Sequence, residues 1–221
     1  MTQVNIILAS SSPRRKNLLE TIKLDFEIIL PDDVESEIQN FVPLQDFFSR
    51  YVEDIAFSKA QNVADKILLN PLKEKTKIRG TMERDSKDSL IIGADTIVAI
   101  DNKILGKPKT EQEAYEMLQT LNDRWHEVFT GVAIISPSQS VKAHKISKVK
   151  FKKLTDEEIK SYIKTKEPMD KAGAYALQGI GSVFVEKIDG CYTNVIGLPL
   201  PLLDDLFKQY FDFSILKGYL L

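Results

Sequence analysis

Three charged or hydroxylic groups in this sequence stand where their neighbours give no structural reason for them. The first is Ser10-Ser11-Ser12-Pro13-Arg14-Arg15, directly after the apolar run Val4 to Ala9. A serine followed by proline marks a helix start, with Ser12 as N-cap and Pro13 at the first helical position. The free N–H groups and the positive dipole end there make an anion site. Arg14 and Arg15 add bidentate phosphate contacts, and the serine hydroxyls add donors. The glycines and lysine of a Walker loop are missing. A plain N-cap with two solvated arginines, or a Ser-Pro phosphorylation site, uses the same residues.

The second group is Asp95, set in Leu90-Ile91-Ile92-Gly93-Ala94-Asp95-Thr96-Ile97-Val98. A carboxylate between apolar neighbours is costly unless it is paired or binds a metal. It either caps a loop, pairs with an arginine, or serves as a general base, since an unpaired buried carboxylate holds a proton more tightly. The third is Lys59, four residues after Ile55 and four before Val63. Helical geometry puts it inside an apolar stripe. Its ammonium either snorkels to the surface or points inward at phosphate or a carboxylate.

Other segments add weaker signals. Lys107 is framed by Gly106 and Pro108, as an exposed turn lysine or a fixed cation. The acidic run Asp32 to Glu37 is a solvated loop or a source of hard oxygen ligands for magnesium or manganese. Asp170 to Tyr175 and Leu177 to Gly181 are glycine-rich without a dinucleotide fingerprint. Gln178 carries an amide able to match a base edge that has both a carbonyl and an N–H. No His/Cys cluster has zinc spacing. His126 beside Trp125 reads as structural, His144 as a surface residue, and Cys191 as a small turn residue after Asp189-Gly190.

The elements that must position these residues follow from periodicity. Val4 to Ala9, Phe26 to Leu30, Leu90 to Ile100, Val128 to Ile135, Val141 to Phe151 and Val183 to Lys187 read as strands. A helix follows Pro13, and a long amphipathic one runs Gln45 to Leu69, with Phe48, Val52, Ile55, Ala56, Ala60 and Val63 on one face. Capping boxes at Thr110/Glu113 and Thr155/Glu158 open helices to about Leu121 and Lys164. Pro199 to Tyr210 is a last helix. Asn70 to Lys87 has many charges and no period, so 70–88 is read as a surface insertion. Strands and helices interleave, which implies an α/β fold, and hairpins near 97–105 and 128–151 imply a mixed sheet.

Composition sets the frame. The 221 residues are 43% apolar and 28% charged, with a formal net charge of −2. That suits one large or two-lobed domain and disfavours a general nucleic-acid coat. One cysteine suits a reducing compartment. No apolar run approaches the roughly 20 residues of a membrane span, and Met1 to Leu8 lacks the pattern of a secretory signal. A cytoplasmic protein is expected.

Taken together, the segments resemble the Maf family of nucleoside triphosphate pyrophosphatases. The matching stretches are Leu8-Ala-Ser-Ser-Ser-Pro-Arg-Arg15, Ile92-Gly-Ala-Asp-Thr96, Leu105-Gly-Lys-Pro108, His126-Glu-Val128 with Thr130, Glu167-Pro-Met-Asp-Lys-Ala-Gly-Ala-Tyr175, Gln178-Gly179 and Gly197-Leu-Pro199. They keep the family's order almost end to end. The resemblance implies one domain over 1–221 with a Maf/ITPase-like architecture: an elongated mixed β-sheet with flanking helices, in two lobes around a central cleft. It implies a homodimer, magnesium or manganese, and attack at the α-phosphorus. By position Asp95 looks like the proton acceptor. Ser10, Arg14, Glu35, Lys59 and Lys107 look like the phosphate- and metal-handling residues, with Glu35 and Asp95 as metal ligands. Arg14, Thr96 and Gln178 look like the set of the branch acting on dTTP and UTP, with modified pyrimidine nucleotides as further candidates. Departures are the insertion and Asn122-Asp123, which replaces a serine–glycine turn before His126.

The expected mechanism has Asp95 orienting or deprotonating a water, while Arg14, Lys59, Lys107 and the amides after Ser10 neutralise the departing pyrophosphate. A second reading, from another class, is a catalytically weak nucleotide-binding regulator of cell division. A nucleic-acid binder using Arg14, Arg15 and Lys16 is the weakest reading, given the acidic balance.

Overall fold

The computed structural model describes residues 4–32, 45–69 and 89–216. Its elements are β1 (Asn5–Ala9), α1 (Pro13–Thr21), β2 (Glu27–Ile28), α2 (Gln45–Leu69), β3 (Ser89–Ile100), β4 (Lys103–Leu105), α3 (Glu111–Leu121), β5 (Trp125–Ile135), β6 (Ser140–Phe151), α4 (Asp156–Lys164), β7 (Val185–Asp189), α5 (Tyr192–Ile196) and α6 (Leu200–Phe211). Short 3-10 turns lie at Glu167–Asp170, Ala172–Ala174 and Ile180–Phe184. The insertion at 70–88 and Glu35 lie outside the described residues.

The strands form one mixed sheet in the order β2-β1-β3-β5-β6-β7, with β4 also on β3. β1 is parallel to β2 and β3, and the remaining pairings are antiparallel. One detail of register governs the site. On one edge, β3 pairs with β1 from Ser89 to Gly93 and with β4 from Val98 to Ile100. Between those stretches, residues 94–97 have no strand partner on that edge among the described residues. The other edge is paired to β5 throughout, from Ile91↔Ile135 to Ala99↔Glu127.

This break divides the sheet into two lobes. In the first, Ile6, Leu8 and Ile92 pack under α1 and α6 through Leu18, Leu203 and Phe207, while Ile7, Ile91 and Ala133 pack under α2 through Ala56, Ala60 and Val63. In the second, Val98, Phe151 and Phe184 pack against α3 and α4 through Leu118, Leu121 and Ile159, while Ile97, Ala99 and Phe129 meet Phe48 and Val52 of α2. Alternation along β3 puts Ala94, Thr96 and Val98 on one face and Gly93, Asp95 and Ile97 on the other. α2 lies against the second face so closely that a Cβ added at Gly93 would sit 2.0 Å from the Ala56 carbonyl. At Gly131 it would sit 2.1 Å from that of Val52. No described helix is long and apolar enough to cross a membrane.

The sequence expectations hold for α2, for the β5–β6 hairpin and for the Thr155/Glu158 capping box, both halves of which form. At α3, Thr110 accepts the Glu113 N–H, but the Glu113 carboxylate reaches back to Lys109 N instead of closing the box. The strand expected at Val183 to Lys187 starts two residues later, because Val183 and Phe184 finish a 3-10 turn and the Phe184 ring stacks edge-on into Tyr162. The strand expected over Phe26 to Leu30 is only Glu27–Ile28. α5 was invisible to periodicity, being five residues long with no side-chain cap.

Candidate active site

A cavity of about 530 Å³ opens where β3 lacks a strand partner among the described residues. The β1–α1 loop, α2, the turn after β4, the 170–177 segment and the end of α5 all line it. Because it passes the sheet edge, it reaches both faces, and so both Asp95 and Thr96 line it although they point to opposite sides.

On the α2 face Lys59 Nζ lies 2.7 Å from Asp95 Oδ1, with side chains only 14% and 18% exposed. The inward orientation of Lys59 is the one realised, and its partner is the aspartate. Asp95 is thus paired, by a lysine rather than an arginine. Lys59 sits between Ala56 and Ala60, the residues that meet Gly93, so close helix–sheet packing determines where its ammonium lands.

On the other face Arg15 is the organising residue. It is buried, its Nε donates to the Gly197 carbonyl at 2.8 Å, Nη1 to Ser10 Oγ at 3.1 Å and Nη2 to Thr96 Oγ1 at 3.1 Å. Burial holds its pKa below the usual arginine value, with Asp95 opposing that shift and Arg14 adding to it. Through these three bonds Arg15 ties the β1–α1 loop to β3 and α5, and it lines the cavity beside Arg14. Ser10 Oγ accepts from Arg15 and from Ser12 N–H at 3.2 Å, which leaves its own proton to offer a ligand. Ser12 has the extended backbone of an N-cap but makes no side-chain cap bond. The first helical bond closes only at Lys16 N–H onto Ser12 O, so the Arg14 and Arg15 amides stand ahead of it.

Arg14 lines the cavity half-buried. Burial lowers its pKa, and Asp170, Tyr162 and Glu167 act in the other direction. Lys107 is exposed at the rim, its turn pinned by Gly173 N–H donating to the Gly106 carbonyl at 3.1 Å. Gln178 is exposed and lies just outside the lining, one residue beyond Leu177. Its loop is held by Glu167, whose carboxylate accepts Ile180 N–H, Gly181 N–H and the Tyr162 hydroxyl, each at 3.0 Å. Burial pushes the Glu167 pKa up, but the two amides and the hydroxyl outweigh it and hold it below the usual range. Glu167 and Asp170 were not singled out from the sequence. Their only signal there was a place in the 167–175 motif.

His126 and Cys191 are accounted for by structure. The His126 ring stacks edge-on against Phe151 and Tyr175, with Nε2 2.8 Å from the Tyr175 hydroxyl. Cys191 Sγ lies 3.1 Å from Thr193 Oγ1. Among the described residues no group of three or more His, Cys, Asp or Glu is placed to hold a metal. Magnesium and manganese are commonly bound through one or two carboxylates plus substrate phosphates, a pattern that Asp95, a carboxylate lining the cavity together with the 10–15 loop, fits better than it fits a zinc cage.

The family model described as Maf-like protein matches residues 5–210. The chain is 46% identical over 216 residues to a protein of Acetivibrio thermocellus named dTTP/UTP pyrophosphatase, covering 97% of this chain and 98% of that one. It is also 46% identical to a protein of the same name from Clostridium botulinum, over 93% of this chain and 96% of the other. Among solved structures, a distant likeness is to the Ham1 protein of Staphylococcus aureus, with 14% identity, a TM-score of 0.37 and coverage of 66% of this chain and 71% of that one.

Proposed function

The chain belongs to the Maf family, and from that premise we propose that it hydrolyses dTTP and UTP, with modified pyrimidine triphosphates as further substrates, to the nucleoside monophosphate and pyrophosphate. The names carried by the relatives support the substrate class. The observation that carries the chemistry is the Lys59–Asp95 pair, opening into the same cavity as Ser10 and the start of α1.

In the reaction a water oxygen bonds to the α-phosphorus and the bond to the bridging oxygen of the β-phosphate breaks. Asp95 takes the water's proton. Lys59 fixes the carboxylate's orientation. Lys59, Arg14, Lys107, the Ser10 hydroxyl and the α1 amides balance charge on the leaving pyrophosphate. A magnesium or manganese ion, held by Asp95 and Glu35, would supply further neutralisation of the phosphate oxygens. Arg14, Thr96 and Gln178 are the proposed specificity residues. The family likeness also points to a cytoplasmic homodimer.

The test is a panel of triphosphates with magnesium, read by product. UMP or dTMP with pyrophosphate is expected, and release of orthophosphate alone would refute the reading. Asp95→Asn should lower turnover by about 10² to 10⁴. Near-normal turnover in that variant would remove Asp95 from the chemistry.

A further inference from the structure

Three carboxylates line the cavity among the described residues, Asp32, Asp95 and Asp170. Each puts a negative charge on a wall that has to hold a polyanion. Each is also paired with a lysine: Asp95 with Lys59, Asp32 with Lys66 and Asp170 with Lys171. Asp95 and Lys59 have their task in the mechanism, and Asp170 also lies in the field of Arg14. Asp32 and Lys66 have no task there, and Lys66 is not itself part of the cavity lining.

The Asp32 pair is built from α2. Lys59, Asn62 and Lys66 follow the three-and-four spacing of one helix face. The first holds Asp95, and the other two hold the chain that leaves β2. Lys66 Nζ lies 2.8 Å from Asp32 Oδ1 and donates to the Leu30 carbonyl at 2.8 Å. Asn62 Nδ2 donates to Asp32 Oδ2 at 3.3 Å, and Asn62 Oδ1 accepts the Asp32 N–H at 2.9 Å. Both carboxylate oxygens and the backbone of Asp32 are thus fastened to the helix. Lys66, and after it Asn62, hold the Asp32 carboxyl below the usual carboxylate range, so it is ionised at neutral pH. The Asp32 side chain is 72% exposed and that of Lys66 30%. A pair so open to water adds little to stability. Its effect lies in the potential of the wall, because an uncompensated carboxylate repels a polyanion over a Debye length, roughly 8 to 10 Å at moderate salt.

We propose that Lys66 is a positioning residue acting through Asp32: from outside the cavity it holds and neutralises that carboxylate, so that the Leu30–Asp32 wall admits a triphosphate. Asn62 keeps the carboxylate turned toward the lysine. This rests on the triphosphate reading above and deepens it.

The experiment is a double-mutant cycle over Lys66→Met and Asp32→Asn, with Lys66→Arg as the charge-conserving control. Two readouts are taken at low and at high KCl. One is UTP turnover with magnesium, and the other is calorimetric binding of inorganic tripolyphosphate. In Lys66→Met at low salt, KM for UTP should rise and tripolyphosphate should bind more weakly, each by roughly three- to tenfold, while kcat stays close to the wild-type value. High salt should narrow the gap. Lys66→Arg should behave as the wild type. Adding Asp32→Asn to Lys66→Met should bring both constants back toward the wild type, because the charge that needed a partner is gone. A double variant as impaired as Lys66→Met would mean that the lysine only braces the chain, and would overturn the proposal. Wild-type constants in Lys66→Met overturn it too, and so does a loss of kcat in Asp32→Asn alone, which would make Asp32 a working ligand. If Lys66→Met does not fold, Asp32→Asn decides, since tripolyphosphate should bind it at least as tightly as the wild type and weaker binding sinks the idea. A wild-type chain that turns over neither UTP nor dTTP removes the pyrophosphatase reading, and the tripolyphosphate cycle then decides this proposal by the same criteria.

Discussion

His126 shows how a residue type that invites a catalytic reading is used for packing. Its ring lies between Phe151 and Tyr175, and burial pushes its pKa down to about 3. The sign of the consequence is fixed. The folded chain holds His126 neutral, whereas the unfolded chain protonates it below its ordinary value near 6.5. Stability from this group is complete above pH ~6.5 and is lost as pH falls from there toward 3, at about 1.4 kcal/mol per pH unit. Urea unfolding at pH 6.5 and pH 5 should therefore differ by about 2 kcal/mol more in the wild type than in His126→Phe. Equal pH dependence in the two proteins would mean the histidine is charged in the folded state. Lys59 and Asp95 carry the complementary lesson: two residues that each look misplaced in their own element are the two halves of one ion pair 36 positions apart.

At the scale of elements, α2 must touch the sheet backbone for Lys59 to reach Asp95. Gly93→Ala places a Cβ 2.0 Å from the Ala56 carbonyl and 3.0 Å from Ala60, so the helix has to move. Overpacking of this kind costs about 1 to 3 kcal/mol. The variant should unfold at lower urea and, because Lys59 lies between those two contacts, lose kcat/KM as well. Gly106→Ala, where an added Cβ meets nothing within 4 Å, should keep the wild-type unfolding midpoint. Unchanged stability in Gly93→Ala would contradict the close packing described. The sequence made α2 legible because 25 residues repeat one apolar stripe, and the same spacing set Lys59 in that stripe while leaving open whether its ammonium turned inward or outward. It could not name Asp95 as the partner, since periodicity describes one element at a time. The shift of β7 was hidden for a related reason. Val183 and Val185 look alike as β formers, and the turn that absorbs Val183 is imposed by Glu167, 13 and 14 residues before the amides of Ile180 and Gly181 that it binds. The anchoring bonds of Arg15 were hidden too, because their partners Gly197 and Thr96 lie 182 and 81 residues away in the chain.

For the whole molecule, the cleft lies where one edge of β3 has no strand partner among the described residues while its other edge stays paired. β3 and β5 run unbroken from one lobe to the other, with β3 bonded to β5 from Ile91 to Ala99 across the gap in its opposite edge. α2 likewise contributes side chains to the apolar clusters of both lobes on its face. Neither lobe can lose these elements without stripping the other of a central strand and a covering helix, so the lobes should unfold together. Near-UV circular dichroism reports the Tyr162, Tyr175 and Phe184 ring cluster of one lobe, whereas far-UV reports helices and strands in both. In urea the two signals should give one coincident transition, and substrate with magnesium should move both midpoints upward together. Separate midpoints would mean that the cleft divides two independently stable domains. The rigid positioning of Asp95 and Thr96 on opposite faces of one shared strand would then need another source.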